Sequence, residues 1–146
     1  MYNKGVKMFT IADWFMGVKD EVNDLEQRQR EAELDLLILM MYADRHIDEN
    51  ETIKIKADSE SLIWENREYH IDLYIDKTIA SVRNVMVNRN RLELFIKDIA
   101  LRLRTQEVKN RAFVNVEKFM EIDFDISPKE VELLGQIDEI FHTLEY

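Results

Sequence analysis

The chain has 146 residues, a formal net charge of −10 and no cysteine, so disulfides, thiolate metal sites and cysteine nucleophiles are excluded. Three glycines and one proline are too few for a fold rich in tight turns, which predicts a single all-α domain with its own core. The negative charge repels phosphate backbones, so nucleic acid is not an expected partner.

Apolar residues at helical spacing predict about seven helices, beginning with an amphipathic helix over residues 11–28 whose polar face is acidic. The polar segment 26–33 either continues this helix or turns into the next one. Residues 34–42 are apolar on nearly all sides, so their helix is expected at the centre of the core.

The later helices are separated by polar breaks. A helix that opens at Asp48 is expected to turn Ile53, Ala57 and Trp64 towards the core. Asn66 is a candidate N-cap for the next helix, whose apolar stripe covers residues 71–86. A break at Asn88 or Asn90 precedes a helix over residues 92–103. Thr105 is the expected N-cap of a helix that runs to residue 120, and a final helix runs from Ser127 to residue 144.

The longest apolar run, residues 36–42, is too short to span a bilayer, and no secretory signal is recognisable, so a cytoplasmic protein is predicted. Basic residues cluster in one region only, and acids are interspersed among them. We therefore expect a solvated helix face with ion pairs there. The basic residues of this region are Arg83, Arg89, Arg91, Lys97, Arg102 and Arg104.

Two acidic stretches of the chain follow the same pattern. Residues 43–51 read ADRHIDENE, and residues 122–130 read IDFDISPKE. Asp44 corresponds to Asp123, 79 positions later, and the final Glu of each stretch has the same offset. An apolar helical pattern precedes and follows each stretch, so we predict an internal pseudo-two-fold repeat of helix, acidic loop and helix.

The acidic stretches supply carboxylates, which are hard oxygen ligands suited to Ca²⁺ or Mg²⁺. If the pseudo-two-fold brings the stretches together, six candidate ligands converge: Asp44, Asp48, Glu51, Asp123, Asp125 and Glu130. The expected cofactor is therefore a divalent cation or none.

Helix capping explains part of the same pattern. In the second stretch Ser127 can cap, Pro128 suits the first helical position and Glu130 completes a capping box; the first stretch has an Asp-led variant. Capping leaves Asp44 and Asp123 unexplained, because both are predicted at C-terminal helix ends, where an acid is unfavourable. These two residues are the first place to look for function.

Three functions are compatible with these observations. The first is cation binding at the paired acidic loops. The second is a protein-interaction module without a metal site, for which a protein partner or a homodimer is expected. The third is a carboxylate acid–base hydrolase that uses Asp44 and Asp123 together. No nucleophile motif, Gly-rich phosphate loop or oxyanion turn is recognisable, so a non-enzymatic protein is predicted.

The pattern Ala-Asp-x-x-Ile-x-x-x-Glu between two apolar helices resembles the TerB-like domains of tellurite resistance. It stands here at residues 43–51 and recurs, with Ile in place of Ala, at residues 122–130. By position, the family's acidic residues correspond to the first Asp and the last Glu of each stretch. Arg45 and Phe124 stand where the family usually has glycine.

The resemblance covers residues 31–144. Residues 1–30 are therefore expected to form a helical extension packed on a TerB-like domain of residues 31–146. The resemblance implies a compact bundle of about seven helices with internal pseudosymmetry. It also implies a stress-associated scaffold or sensor with a candidate metal-binding surface.

Overall fold

The described part of the chain consists of helices and short connections. The computed structural model describes residues 24–43, 49–59, 64, 69–123 and 128–143, and for residues 24, 51, 58, 119–123 and 143 it describes the backbone alone. Six α-helices and no strand occur in these ranges, which confirms the all-α prediction; the predicted count of seven is not confirmed. The helices are α1 (Asp24–Met41), α2 (Glu49–Ser59), α3 (Ile71–Met86), α4 (Arg89–Leu103), α5 (Gln106–Asp123) and α6 (Pro128–Thr143).

Helix α1 runs through the centre of the bundle. Every residue from 32 to 40 is buried, and α1 packs most extensively against α4 and also against α3 and α5. The central position predicted for residues 34–42 is confirmed, but their helix begins ten residues earlier, at Asp24. Residues 24–33 are mostly Glu, Gln and Arg, which are strong helix formers, so the polar segment continues the helix. The predicted boundary between residues 30 and 31 lies inside α1.

The other helices turn apolar stripes towards α1 and towards each other. Helix α4 also contacts α3, α5 and α6, while α6 packs on α5 and α2 packs on α3. The stripe predicted along α3 is confirmed by the burial of Ile71, Ile75, Ile79 and Val82. Helices α4 to α6 complete the core with Ile96, Ile99, Ala100, Leu103, Ala112, Val116, Leu133, Ile137, Ile140 and Phe141. None of the described helices is long and apolar enough to cross a membrane.

Side chains cap the starts of three helices. Asn88 accepts a hydrogen bond of 3.0 Å from a backbone N–H in the first turn of α4, so the break predicted at Asn88 or Asn90 falls at Asn88. Thr105 caps α5 in the same way at 3.2 Å, as predicted. Helix α3 follows His70, whose Nδ1 accepts from a first-turn N–H at 3.3 Å. His70, and not the predicted Asn66, therefore caps this helix; Asn66 itself lies outside the described residues.

Helix α2 is shorter than predicted. It ends at Ser59, and Trp64, five residues later, is not helical. Its buried side consists of Ile55 and Ser59, one turn apart, whereas Ile53 is 57% exposed and Ala57 is also exposed. The predicted apolar side was wrong, because residues two positions apart point to different sides of a helix and packing against α3 selects Ile55.

A strained turn joins α4 to α5. Arg104 has φ 74° and ψ −62°, and it is the single non-glycine residue with positive φ among the described residues. The Thr105 N–H donates to the Leu103 carbonyl at 2.9 Å, which closes a γ-turn of the strained kind. The Gln29 side chain of α1 donates to the same carbonyl at 3.1 Å. Two donors therefore hold a backbone conformation that costs on the order of 1–3 kcal/mol.

Candidate functional site

The predicted acidic loops fall largely outside the described structure. Asp44, Asp48 and Asp125 lie outside the described residues. Glu51 lies in the first turn of α2 and Asp123 is the last residue of α5, but their side chains are outside the description too. The position of Asp123 at a C-terminal helix end agrees with the prediction.

Glu130 is the candidate ligand whose side chain is described. It is the third residue of α6, and it is buried, with 7% of its surface exposed. The helix begins at Pro128, which confirms the prediction that this proline occupies the first helical position. A carboxylate in the first turn of a helix is stabilised by the backbone N–H groups there. The position of Glu130 therefore fits the predicted capping role.

The helices that follow the two acidic stretches begin at matching positions, but the helices that precede the stretches do not end at matching positions. Helices α2 and α6 begin at Glu49 and Pro128, 79 positions apart, which is the offset of the sequence pattern. Helices α1 and α5 end at Met41 and Asp123, 82 positions apart. Packing differs as well, because α6 packs on α5 whereas α2 packs on α3. The internal pseudo-two-fold repeat is therefore not confirmed.

The described side chains form no group of three His, Cys, Asp or Glu that could hold a metal ion. What the structure does bring together is a buried ionic network that local sequence patterns do not reveal. Its centre is Asp35 of α1, whose side chain is 7% exposed. One carboxylate oxygen accepts hydrogen bonds from Tyr74 at 2.9 Å and Thr78 at 3.0 Å, both on α3. The other accepts from Arg102 of α4 at 2.6 Å.

Opposing effects act on the ionisation of this network. Burial raises the pKa of the Asp35 carboxyl, and the Arg102 guanidinium together with the hydroxyl donors opposes that rise. Burial also raises the pKa of the Tyr74 hydroxyl, and the neighbouring Asp35 carboxylate raises it further. For Arg102, burial lowers the pKa, but Asp35 and Tyr74 outweigh it and the net direction is upward. The 2.6 Å ion pair favours the ionised form of both partners.

A second buried carboxylate lies further towards the start of α1. Glu33 is 1% exposed, and its Oε1 accepts a hydrogen bond of 2.7 Å from Arg111 of α5, which is half-exposed. Arg30, one turn earlier in α1, is also buried. Burial lowers the pKa of Arg30, while the nearby Glu33 carboxylate opposes this. The two ion pairs of α1 thus fix it to α4 and to α5.

An aromatic cluster covers the start of α3. The Trp64 indole N–H donates to the Tyr69 carbonyl at 2.8 Å, and the Trp64 and Tyr74 rings lie 5.2 Å apart between centroids. Lys77 places its ammonium 5.3 Å from the Tyr69 ring centroid and 5.9 Å from that of Tyr74, within the range of a cation–π contact. Trp64 also packs against the core.

No family model, curated protein or solved structure matches this chain. The likeness to TerB-like domains therefore stays a prediction carried by the two acidic stretches.

The buried ion pairs of the described residues hold the helices together and form no open site. Every acceptor oxygen of Asp35 is engaged by a protein donor, and the carboxylate is closed to solvent, so it has no free face for a substrate. Sequence reasoning missed these residues. An aspartate inside the apolar run of residues 34–42 was the available sign, because a buried charge requires a partner. Its partners lie on α3 and α4, far along the chain, where no local pattern connects them to it.

Proposed function

We propose that this protein is a cytoplasmic, non-enzymatic scaffold or sensor domain of the stress-associated TerB-like type. In this proposal a divalent cation, Ca²⁺ or Mg²⁺, binds at the acidic junctions, by which we mean residues 43–51 and 122–130. The supporting observation is that the helices after the two junctions begin at Glu49 and Pro128, in the register of the repeated acidic pattern.

Electrostatics supports a cation at the junctions. Asp123 ends α5, where the backbone carbonyls create a negative potential. An acid at such a position is unfavourable by about 0.3–1 kcal/mol unless something compensates for it. A cation offsets the repulsion directly, and Asp44, three residues after the last residue of α1, is its proposed counterpart at the first junction. Glu51 and Glu130 then stabilise the fold as caps or complete the ligand set.

Titration calorimetry and thermal melting with Ca²⁺, Mg²⁺, Mn²⁺ and Zn²⁺ test this proposal. We expect binding heat and a higher melting temperature with at least one of these ions, and loss of both effects in an Asp44→Asn, Asp123→Asn double variant. Glu107→Gln is the matched control, because Glu107 is an exposed acid at the opposite end of α5. The absence of heat and of any melting shift with all four ions would contradict the cation site.

A protein-interaction module without a metal site is the second candidate. Large apolar side chains are exposed on several helices, and although single ones are normal on a protein surface, two of them share one helix. These two are Leu94 and Leu101 of α4, which are 64% and 53% exposed. Association that chelators and the Asp44→Asn, Asp123→Asn variant leave unchanged, measured by sedimentation velocity, would favour this candidate over the first.

A further inference from the structure

The solvent side of α4 combines apolar and basic side chains. We call this surface the α4 outer face and define it as Arg91, Leu94, Lys97, Asp98 and Leu101. The two leucines are seven positions apart, two helical turns, and therefore lie on the same side of the helix. Both are more than half exposed, whereas Ile96, Ile99 and Leu103 are buried on the opposite side.

This region is positive in a negative protein. Residues 89–104 carry five basic and two acidic side chains, a net charge of +3 in a chain of net charge −10. Lys97 is paired with Glu93 at 3.0 Å, and Arg102 is paired with Asp98 at 2.9 Å and with Asp35 of α1 at 2.6 Å. Arg91 donates a hydrogen bond of 2.6 Å to the Asn84 side chain oxygen and has no acid as a partner in the part of the chain that the structure describes. Among the described residues Arg89 and Arg104, at the two ends of the helix, form no ion pair. The prediction of a solvated face with ion pairs is thus confirmed for the middle of α4 alone.

Both ends of α4 hold an arginine in an unfavourable setting. Arg89 and Arg91 lie in the first turn, at the positive end of the helix, and no acid occupies that turn. Arg104 lies in the strained γ-turn with φ 74°, a conformation that glycine adopts far more readily. Strained residues cluster at functional sites, so the strain at Arg104 supports the hypothesis that its side chain is used.

We propose that the α4 outer face binds an acidic amphipathic helix of a partner protein. Leucine-type side chains of that helix pack on Leu94 and Leu101, and its carboxylates pair with Arg91 at one end and Arg104 at the other. Helix α4 has 15 residues and is about 22 Å long, so a partner helix of roughly four turns reaches both ends. The mode of recognition is an amphipathic helix laid on an apolar surface.

Charge complementarity favours such a helix over an anionic membrane. The Asp35 carboxylate of α1 neutralises one of the five basic residues, so a helix that lies along α4 meets a local charge of +2, and interactions beyond about 8–10 Å are screened. A bilayer meets a broad side of a molecule whose net charge is −10, so repulsion opposes adsorption. This inference rests on the second candidate function, the interaction module, and is independent of a cation at the acidic junctions.

Fluorescence anisotropy with a labelled synthetic helix tests the proposal. The probe is a peptide as long as α4, with leucines at helical spacing flanked by glutamates; its matched control carries lysines in place of the glutamates. We expect the 146-residue chain to bind the glutamate peptide and not the lysine peptide. A Leu94→Ser, Leu101→Ser double variant should bind it at least about tenfold more weakly, since two apolar contacts are lost.

Two controls separate the surface from general effects. Leu73→Ser removes an aliphatic side chain of α3 with the same 53% exposure as Leu101, and it should leave the affinity unchanged. Arg104→Gln should weaken binding severalfold at low salt and have little effect at high salt, because the lost contact is electrostatic. Circular dichroism of each variant verifies that it is folded.

Several results would overturn the proposal. These are equal binding of the two peptides, no binding of either, and binding to phosphatidylserine vesicles without binding of the glutamate peptide. Self-association of the chain that the two serine substitutions abolish, without peptide binding, would assign the face to a second copy instead. Calorimetry of the serine double variant with Ca²⁺ distinguishes the proposals, because the cation response should be the same as that of the parent protein.

Discussion

Arg102 of α4 and Asp35 of α1 form an ion pair with 2.6 Å between the guanidinium Nη2 and the carboxylate Oδ2. The second oxygen of the same carboxylate accepts hydrogen bonds from Tyr74 and Thr78 of α3. One side chain in the central helix therefore connects three helices. Because hydrogen bonds and ion pairs need specific geometry, whereas apolar contacts tolerate sliding, we expect Asp35 to set the register in which α3 and α4 pack on α1.

Removal of this carboxylate should destabilise the protein strongly. We expect Asp35→Ala to lower the free energy of unfolding by about 3 kcal/mol, because the mostly buried Arg102 guanidinium keeps only its exposed partner Asp98 and two hydroxyls lose their acceptor. Urea unfolding followed by circular dichroism measures the change. A double variant, Asp35→Leu with Arg102→Leu, should recover much of the loss, since it removes both buried charges together.

An exposed ion pair on the same helix provides the control. Lys97→Ala breaks the 3.0 Å contact between Lys97 and Glu93. Both of these side chains are well exposed, so we expect the free energy of unfolding to change by about 0–1 kcal/mol. If Asp35→Ala were as mild as Lys97→Ala, the carboxylate would not connect the three helices in solution.

The sequence pattern correctly predicted those features of the fold that depend on residues close together in the chain. The stripe of α3, the Thr105 cap and the start of α6 at Pro128 each depend on residues within one or two turns, and the structure confirms them. The errors occurred where tertiary packing decides. Helix α2 buries Ile55 because that side meets α3, and Trp64 leaves the helix to pack near Tyr74.

In the candidate sites, too, the features set by neighbouring residues were predicted and those set by tertiary packing were missed. The sequence indicated Glu130 as a first-turn acid, and that position is confirmed because capping is a local property. The Asp35 network was missed, since its partners come from α3 and α4. The strained turn at Arg104 was missed as well, because nothing in an arginine side chain predicts a positive φ.

Alkaline pH should weaken the fold through Tyr74. Burial, reinforced by the Asp35 carboxylate, raises the pKa of this hydroxyl far above its ordinary value, whereas in the unfolded chain it ionises near pH 10. Its contribution to stability is complete below about pH 10 and is lost as the pH rises through the folded-state pKa, because the unfolded chain then releases a proton that the folded protein keeps. The free energy of unfolding should therefore fall above about pH 10.

Two variants isolate the tyrosine in this pH dependence. Tyr74→Phe should lower stability at neutral pH, because a hydrogen bond to Asp35 is lost, and should flatten the alkaline slope by up to about 1.4 kcal/mol per pH unit. Thr78→Val also removes a hydrogen bond to Asp35 but no ionisable group, so its slope should equal that of the parent. An unchanged alkaline slope in Tyr74→Phe would assign the effect to other residues.

Substitutions at Glu130 distinguish a cap from a cation ligand. Gln keeps the size and the acceptor oxygen of Glu, so in the absence of metal Glu130→Gln should change stability little, while Glu130→Ala should cost about 0.5–2 kcal/mol. If Glu130 also binds a cation, the Gln variant should lose the rise in melting temperature that the cation produces. A cap without a ligand role predicts that this rise is the same in the Gln variant and in the parent protein.

Relief of the strained turn should stabilise the protein. At φ 74° a side chain other than glycine costs about 1–2 kcal/mol, and Arg104→Gly removes that cost, although glycine loses roughly 0.5–1 kcal/mol more conformational entropy on folding. The net gain should lie between zero and about 1.5 kcal/mol, seen as a higher urea midpoint. Arg104→Ala is the control, because it removes the same guanidinium and keeps the strain, so it should produce no gain. A destabilised Arg104→Gly would show that the arginine side chain itself supports the turn. A stabilised variant that binds the glutamate peptide as weakly as Arg104→Ala does would show that the arginine is kept for its charge at a cost in stability.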